Sequence, residues 1–430
     1  MKIEKLVFGG QGIAHETQTK GNGEPIDRTI FVWNALPGEE VEVDYIEKKK
    51  DLAEAVATKI TNPSPDRVEP LDPHFLSVSA WQMMNPASED TYKQDIAVET
   101  YGRNGGMILQ NDPPKIISDQ ANYFGYRNKI EFSFFDDNGQ IKLAFFGRGS
   151  HHKFPVQDSR LAEPAINQTA QNILTWINEV KIPIRSLKAM IIRGNGTGDT
   201  IAALFIKDKL EFNHFPALHE TFKGFYLYYS THKSPASVPT ELLYSEGQDY
   251  LIATILGTQL KFGLLSFFQI NIPIFTEAVK DIAAFIGPKD SVLDFYSGVG
   301  AISLPLAKNR PRTILVESNP EAVEYAKQNI ALNNLTNAEA HCMPAEKITE
   351  LIDSDSTIIV DPPRAGLHDK VTLALLNKRP PRIVYLSCDL ATQARDVQRL
   401  SESYKPIFIK LYNFFPRTPH IEGLVVLERI

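Results

Sequence analysis

The chain has 430 residues, 43% hydrophobic and 23% charged, the balance of a globular protein with room for about three domains. Its net charge of −7 argues mildly against a nucleic-acid partner, so any RNA contact has to be local. No apolar run approaches the roughly 20 residues that cross a bilayer, and MKIEKLVFGGQG lacks the basic-then-apolar order of a secretion signal. A cytoplasmic protein with no membrane partner is expected.

Residues 1–62 alternate apolar and polar positions (Thr29-Ile30-Phe31-Val32, Val41-Glu42-Val43) between turns at Gly9-Gly10-Gln11-Gly12 and Pro37-Gly38, which predicts a small β-barrel. Asn62-Pro63-Ser64-Pro65-Asp66 reads as a linker. Residues 67–258 mix strand-like runs (Ile130–Phe135, Ile141–Phe146) with a helix through Ile166–Val180, giving a central α+β domain. Within it, 84–118 holds a helical stretch that pattern alone assigns to no neighbour and that could pack on the catalytic domain. Arg127, Lys129 and the run Arg148–Lys153 are the candidate RNA contacts. From 259 to 430, apolar strands alternate with amphipathic helices: SVLDFYS, a helix, TILVES, a helix, STIIVDPP, a helix, RIVYLSC. That alternation specifies an α/β, Rossmann-like parallel sheet.

VLDFYSGVGAISLPLA (292–307) is a buried strand, a glycine turn and a helix start, followed by Glu317 at the end of the next strand. Glycines at 298 and 300 let backbone approach a ligand at the carboxyl edge of such a sheet, and an acidic residue about 20 positions on accepts ribose hydroxyls. A nicotinamide cofactor is the rival. Its fingerprint requires a third glycine where Ser303 stands, and S-adenosylmethionine, which has no phosphate, does not. In STIIVDPPRAG, Pro362 and Pro363 stiffen the backbone after Asp361 and aim a carboxylate at the same edge. Amino-methyltransferases place an aromatic residue after this Asp-Pro-Pro; Arg364 stands here. Of the two cysteines, too few for a disulfide framework or a Cys-only metal site, Cys388 ends a strand at the ligand edge, whereas Cys342 lies in loop-like AHCMPAE and reads as structural.

Together these residues resemble the RNA uracil-C5 methyltransferases that act on 23S ribosomal RNA and on the T-loop of transfer RNA. The resemblance runs along essentially the whole chain, through FFQIN (267–271), DFYSGVG (294–300), VES (316–318), DPPRAG (361–366), YLSC (385–388), ATQARD (391–396) and FPRTPHIEGLVVLE (415–428). It implies a class I S-adenosylmethionine-dependent methyltransferase in which Gln269, Tyr296, Gly298, Gly300, Glu317 and Asp361 serve cofactor or uracil. It also implies Cys388 as nucleophile, Glu422 as base, and a TRAM-like (OB-like) barrel that grips RNA.

Uracil C5 is a poor nucleophile, which is why such chemistry needs a thiolate to add at C6 and a base to remove the C5 proton afterwards. Many relatives carry four iron–sulfur cysteines; Asp72, Val78, Trp81 and Ser159 stand at the apparent positions, so neither a cluster nor any other metal is expected. Ala301 replaces the family's asparagine. Because the TRAM-like barrel resembles the ribosomal-RNA enzymes more than the shortest transfer-RNA ones, a monomer acting on 23S rRNA is the first expectation, transfer RNA the second, and a non-catalytic RNA-binding factor the alternative from another class.

Overall fold

The computed structural model describes residues 1–19, 25–235 and 237–430. Strands β1 (Lys5–Leu6), β2 (Gly12–Thr19), β3 (Pro25–Trp33), β4 (Glu40–Lys48) and β5 (Leu52–Asn62) form one sheet in the order β1-β2-β3-β5-β4. The sheet closes on itself through the chain start: Ile3 N–H donates to Glu39 O at 2.9 Å, and Val41 N–H to Met1 O at 2.8 Å. Its interior holds small side chains, among them Ala14, Ala53, Ala55 and Ala57 with Ile30 and Val32, as tight closure of few strands demands. The stretch read as a linker is tied down. Ser64 N–H donates to Glu39 Oε1 at 3.0 Å, and Asp66 accepts from the hydroxyls of Ser88 and Tyr92, each at 2.6 Å.

Helices α1 (Phe75–Val78) and α2 (Pro86–Gly105) follow, then β6 (Ile116–Ile117). α2 starts where Asn85 accepts from Ser88 N–H and stops at Gly106, whose φ of 64° no other residue takes as cheaply. The central strands are β7 (Lys129–Asp137), β8 (Gln140–Phe146), β9 (Lys153–Val156), β10 (Leu187–Gly194), β11 (Thr200–Ile206), β12 (Phe222–Tyr229) and β13 (Glu241–Gly247). They align as β13-β12-β11-β10-β7-β8-β9, covered by α3 (Pro164–Glu179) through Ile166, Ala170, Ile173 and Ile177. β14 (Tyr250–Ile255) and β15 (Thr258–Gly263) make a separate hairpin.

The last third runs α4 (Ile272–Ala284), β16 (Val292–Phe295), β17 (Thr313–Glu317), α5 (Pro320–Leu332), β18 (Ala338–Cys342), β19 (Thr357–Val360), α6 (Asp369–Lys378), β20 (Arg382–Ser387), α7 (Leu390–Leu400), β21 (Tyr404–Tyr412) and β22 (Glu422–Arg429). The order is β18-β17-β16-β19-β20-β22-β21-β6, with β16 to β20 all parallel. The helix expected after the glycine turn is not formed: only a 3₁₀ turn, Leu304–Leu306, lies between β16 and β17. Pro305 withholds the N–H that a longer helix requires.

The chain divides into two compact units: Met1–Tyr123 with Cys388–Gln398 and Ile409–Gly423, and Phe124–Ser387 with Arg399–Phe408 and Leu424–Ile430. The helix in 84–118 therefore packs with C-terminal segments. Lys93 Nζ donates to Asn413 Oδ1 at 2.7 Å, and β6 pairs with Leu411 and Tyr412. Among the described residues no helix is long and apolar enough to cross a membrane.

Candidate active site

At the carboxyl end of β16 the backbone takes a run of left-handed conformations, φ 63° at Tyr296, 55° at Gly298 and 86° at Gly300. For tyrosine this is a strained region, and such strain gathers at binding sites. The two glycines serve different ends. A Cβ added at Gly298 would meet nothing within 4 Å, so that position faces open space; one at Gly300 would come within 2.5 Å of Leu304 and 2.7 Å of Leu315. Gly300 is a packing glycine. Gly298 N–H donates to Glu317 Oε2 at 3.1 Å and Asn319 N–H to Glu317 Oε1 at 2.8 Å, which pins the carboxylate at the end of β17.

The cavity beside this turn is lined by Phe267, Phe268, Gln269, Phe275, Tyr296, Ser297, Gly298, Val299, Ala301, Ile302 and Asp361. It gathers four of the six residues expected to serve cofactor or uracil; Glu317 and Gly300 are not among its lining residues. Gln269 Nε2 donates to Asp361 Oδ2 at 3.4 Å. Desolvation raises the Asp361 carboxyl, Asp294 raises it further, and the Gln269 amide opposes. Part of Asp361 reaches solvent, which moderates the rise.

Asp294 does not reach solvent. It is 0% exposed, and neither oxygen meets a donor in good hydrogen-bond geometry. Burial pushes it up to about 7 against the nearby Ser303 hydroxyl and N–H, with Glu317 adding to the rise. Sequence reasoning passed over Asp294 although it stands inside DFYSGVG; a strand-internal aspartate among apolar residues was the available signal.

Cys388 is the first residue after β20. Its thiol is half-buried and outside any disulfide. β22 lies beside β20 and runs against it, since Arg429 N–H donates to Pro381 O at 3.1 Å and Arg382 Nη2 to Glu428 Oε1 at 2.9 Å. Six residues onward along β20 from Arg382 and six back along β22 from Glu428, that ladder brings Cys388 level with Glu422. Glu422 is 2% exposed. The next residue, Gly423, offers its carbonyl to Gln393 Nε2 at 2.9 Å.

Cys342, expected in a loop, closes a strand instead. It ends edge strand β18 in register with Glu317, is exposed, and its Sγ donates weakly to Ser318 O at 3.9 Å. At the four positions matching cluster cysteines, Trp81 is fully buried with Nε1 donating to Gly10 O at 3.0 Å, and Ser159 is clasped by Asn167 through its N–H and carbonyl, each at 3.0 Å. Asp72 N–H donates to Gln82 Oε1 at 3.3 Å, and Val78 closes α1. Of the basic candidates, Lys129 is partly buried and held down to about 8 by burial and then by Arg193. Arg148, His151 and His152 are exposed.

The order β18-β17-β16-β19-β20-β22-β21-β6, with a glycine turn after β16, defines a class I methyltransferase fold. The sequence model of the tRNA (Uracil-5-)-methyltransferase family matches residues 260–430. An uncharacterized RNA methyltransferase of Lactobacillus johnsonii is 30% identical over 100% of this chain and 98% of its own length. One of Thermosynechococcus vestitus is 27% identical over 99% and 97%. Among solved structures, the Pyrococcus abyssi tRNA (uracil-54, C5)-methyltransferase, in complex with S-adenosyl-L-homocysteine, is 25% identical, with a TM-score of 0.79 and 99% of each chain covered. The chain belongs to the RNA uracil-C5 methyltransferase family.

Proposed function

We propose that this enzyme methylates uridine C5 in RNA with S-adenosylmethionine, using Cys388 as nucleophile and Glu422 as base. The levelling of Cys388 with Glu422 at the end of β20 carries this reading. The cavity residues fit the cofactor: Gly298 leaves room for close backbone approach, Glu317 is pinned to receive ribose hydroxyls, and Asp361 with Gln269 supplies polar groups. Bound there, S-adenosylmethionine supplies a methyl group on a sulfonium sulfur.

The protein's own steps follow from the two side chains. The Cys388 thiolate adds to uracil C6, forming the S–C6 bond and moving the C5–C6 electron pair toward the C4 carbonyl, so that C5 becomes nucleophilic. Once C5 bears the methyl, the Glu422 carboxylate takes the C5 proton, the double bond re-forms and the S–C6 bond breaks. Ala301 leaves the cavity wall apolar where a side-chain amide is expected.

On substrate, the N-terminal module was the ground for preferring 23S rRNA. A transfer-RNA enzyme matching 99% of this chain removes that ground, and a transfer-RNA uridine is the reading the likeness supports better. Methylation of transfer-RNA and 23S-rRNA transcripts by the wild type, with mass mapping of 5-methyluridine, separates the two. In the same assay Cys388→Ala is expected to lose on the order of 10³-fold or more in rate. A variant as active as the wild type would remove the covalent mechanism.

A further inference from the structure

Against the Glu422 strand lies a chain of buried polar groups that no step above uses. Gln393 sits in the second turn of α7, five residues after Cys388, and is fully buried. Both ends of its amide are engaged: Nε2 donates to Gly423 O at 2.9 Å, and Oε1 accepts from the Tyr101 hydroxyl at 2.7 Å. Because Nε2 faces a carbonyl, the amide has one allowed orientation and the phenol must be the donor. Tyr101, on α2, is itself fully buried.

The backbone fits this arrangement without slack. A Cβ at position 423 would fall 2.3 Å from the Tyr101 hydroxyl, 2.6 Å from Leu390 Cδ2 and 2.7 Å from Gln393 Oε1, so only glycine lets the strand lie against the pair. The Glu422 charge also reaches the phenol: after burial, it is what raises Tyr101. The start of α7 is set by Asp389, whose Oδ1 accepts from Thr392 N–H at 2.9 Å and whose carbonyl accepts from Gln393 N–H at 3.1 Å. One amide therefore ties the helix that follows Cys388 to the strand that carries Glu422.

We propose that Tyr101 and Gln393 are positioning residues that hold Glu422 at the C5 proton and keep it in register with Cys388. This rests on the reading of Glu422 as base. Displacement of a catalytic group by about 1 Å can cost up to 10²-fold, and the cost falls on the step that uses it. Loosening the relay therefore slows proton removal and leaves thiol addition and methyl transfer largely intact.

The test uses the full-length enzyme with transfer-RNA and 23S-rRNA transcripts carrying tritium at uridine C5, comparing wild type, Tyr101→Phe, Gln393→Leu and Glu422→Gln in single turnover. Methyl incorporation reports addition and transfer; tritium release reports proton removal. In the wild type the two run one to one. In Tyr101→Phe and Gln393→Leu, methyl incorporation is expected to stay within about threefold while tritium release falls about tenfold or more, with RNA left bound to protein on denaturing gels. A merely structural role lowers both signals together, and that result, like an unchanged ratio, overturns the proposal. Should Gln393→Leu not fold, Tyr101→Phe, which removes a single oxygen, decides alone. Glu422→Gln separates the two failures: wild-type tritium release there removes the base itself, whereas blocked release there with normal release in Tyr101→Phe removes only the relay.

Discussion

Gln269 reaches Asp361 with a single 3.4 Å hydrogen bond, and that amide is the one donor found to counter the burial and the Asp294 charge that raise the Asp361 carboxyl. Carboxyls held up in this way make the fold and the cofactor respond to pH in opposite senses.

For the unliganded fold the sign follows from proton counts. Asp294 is raised from the ordinary carboxylate range to about 7, so across that window the folded chain holds a proton that the unfolded chain has released. Its contribution to stability is present at low pH and is lost as pH rises toward 7. Asp294→Asn is therefore expected to melt higher than the wild type at pH 8 and at the same temperature near pH 4. Melting curves that differ equally at both values would refute the assignment.

Cofactor affinity runs the other way. A sulfonium cation favours ionised Asp361, whose carboxyl is raised, so the Kd for S-adenosylmethionine is expected to tighten between pH 6 and pH 8, by at most about tenfold per unit below the carboxyl's own pKa. S-adenosylhomocysteine, which lacks the sulfonium charge, should show a flatter dependence. Calorimetry of both ligands at the two pH values checks this, and parallel slopes would remove Asp361 as the sensor.

A separate prediction concerns the buried ion pair that anchors α2. Lys93 and Glu89 are both fully buried, with Nζ to Oε1 at 3.0 Å, and Glu89 also accepts from Arg417 N–H at 2.9 Å. Burial lowers Lys93, and Glu89 opposes that. Lys93→Met removes one of the two cations on Glu89, leaving Arg417 with Nη1 at 3.1 Å from Oε2, and is expected to cost about 3 kcal/mol. Adding Glu89→Gln should return part of the loss. Denaturant unfolding of the single and double variants measures both, and additive losses would show that the pair is not coupled.

Much of the sheet was legible because its signals are local. VLDF and TIIV are buried at every position, as strands covered on both faces require, and the glycines at 298 and 300 answer φ values that the turn itself imposes. The helix after the turn was misread because Pro305 outweighs the apolar spacing around it. Gln393 stands within ATQARD, yet its part is not legible there, since its partners Tyr101 and Gly423 lie far off in the chain. Asp294 was overlooked for a related reason: a carboxyl's ionisation depends on what covers it.

The sequence by itself determined the parallel sheet, the glycine turn and a thiol at a strand end, because strand periodicity, turn conformation and proline stiffness act over a few residues. Tertiary structure alone decided that α2 packs with segments from the last third, that Gly298 faces open space while Gly300 serves packing, and that Glu422 draws level with Cys388. These depend on antiparallel register, burial and long-range hydrogen bonds, which arise only when distant segments meet.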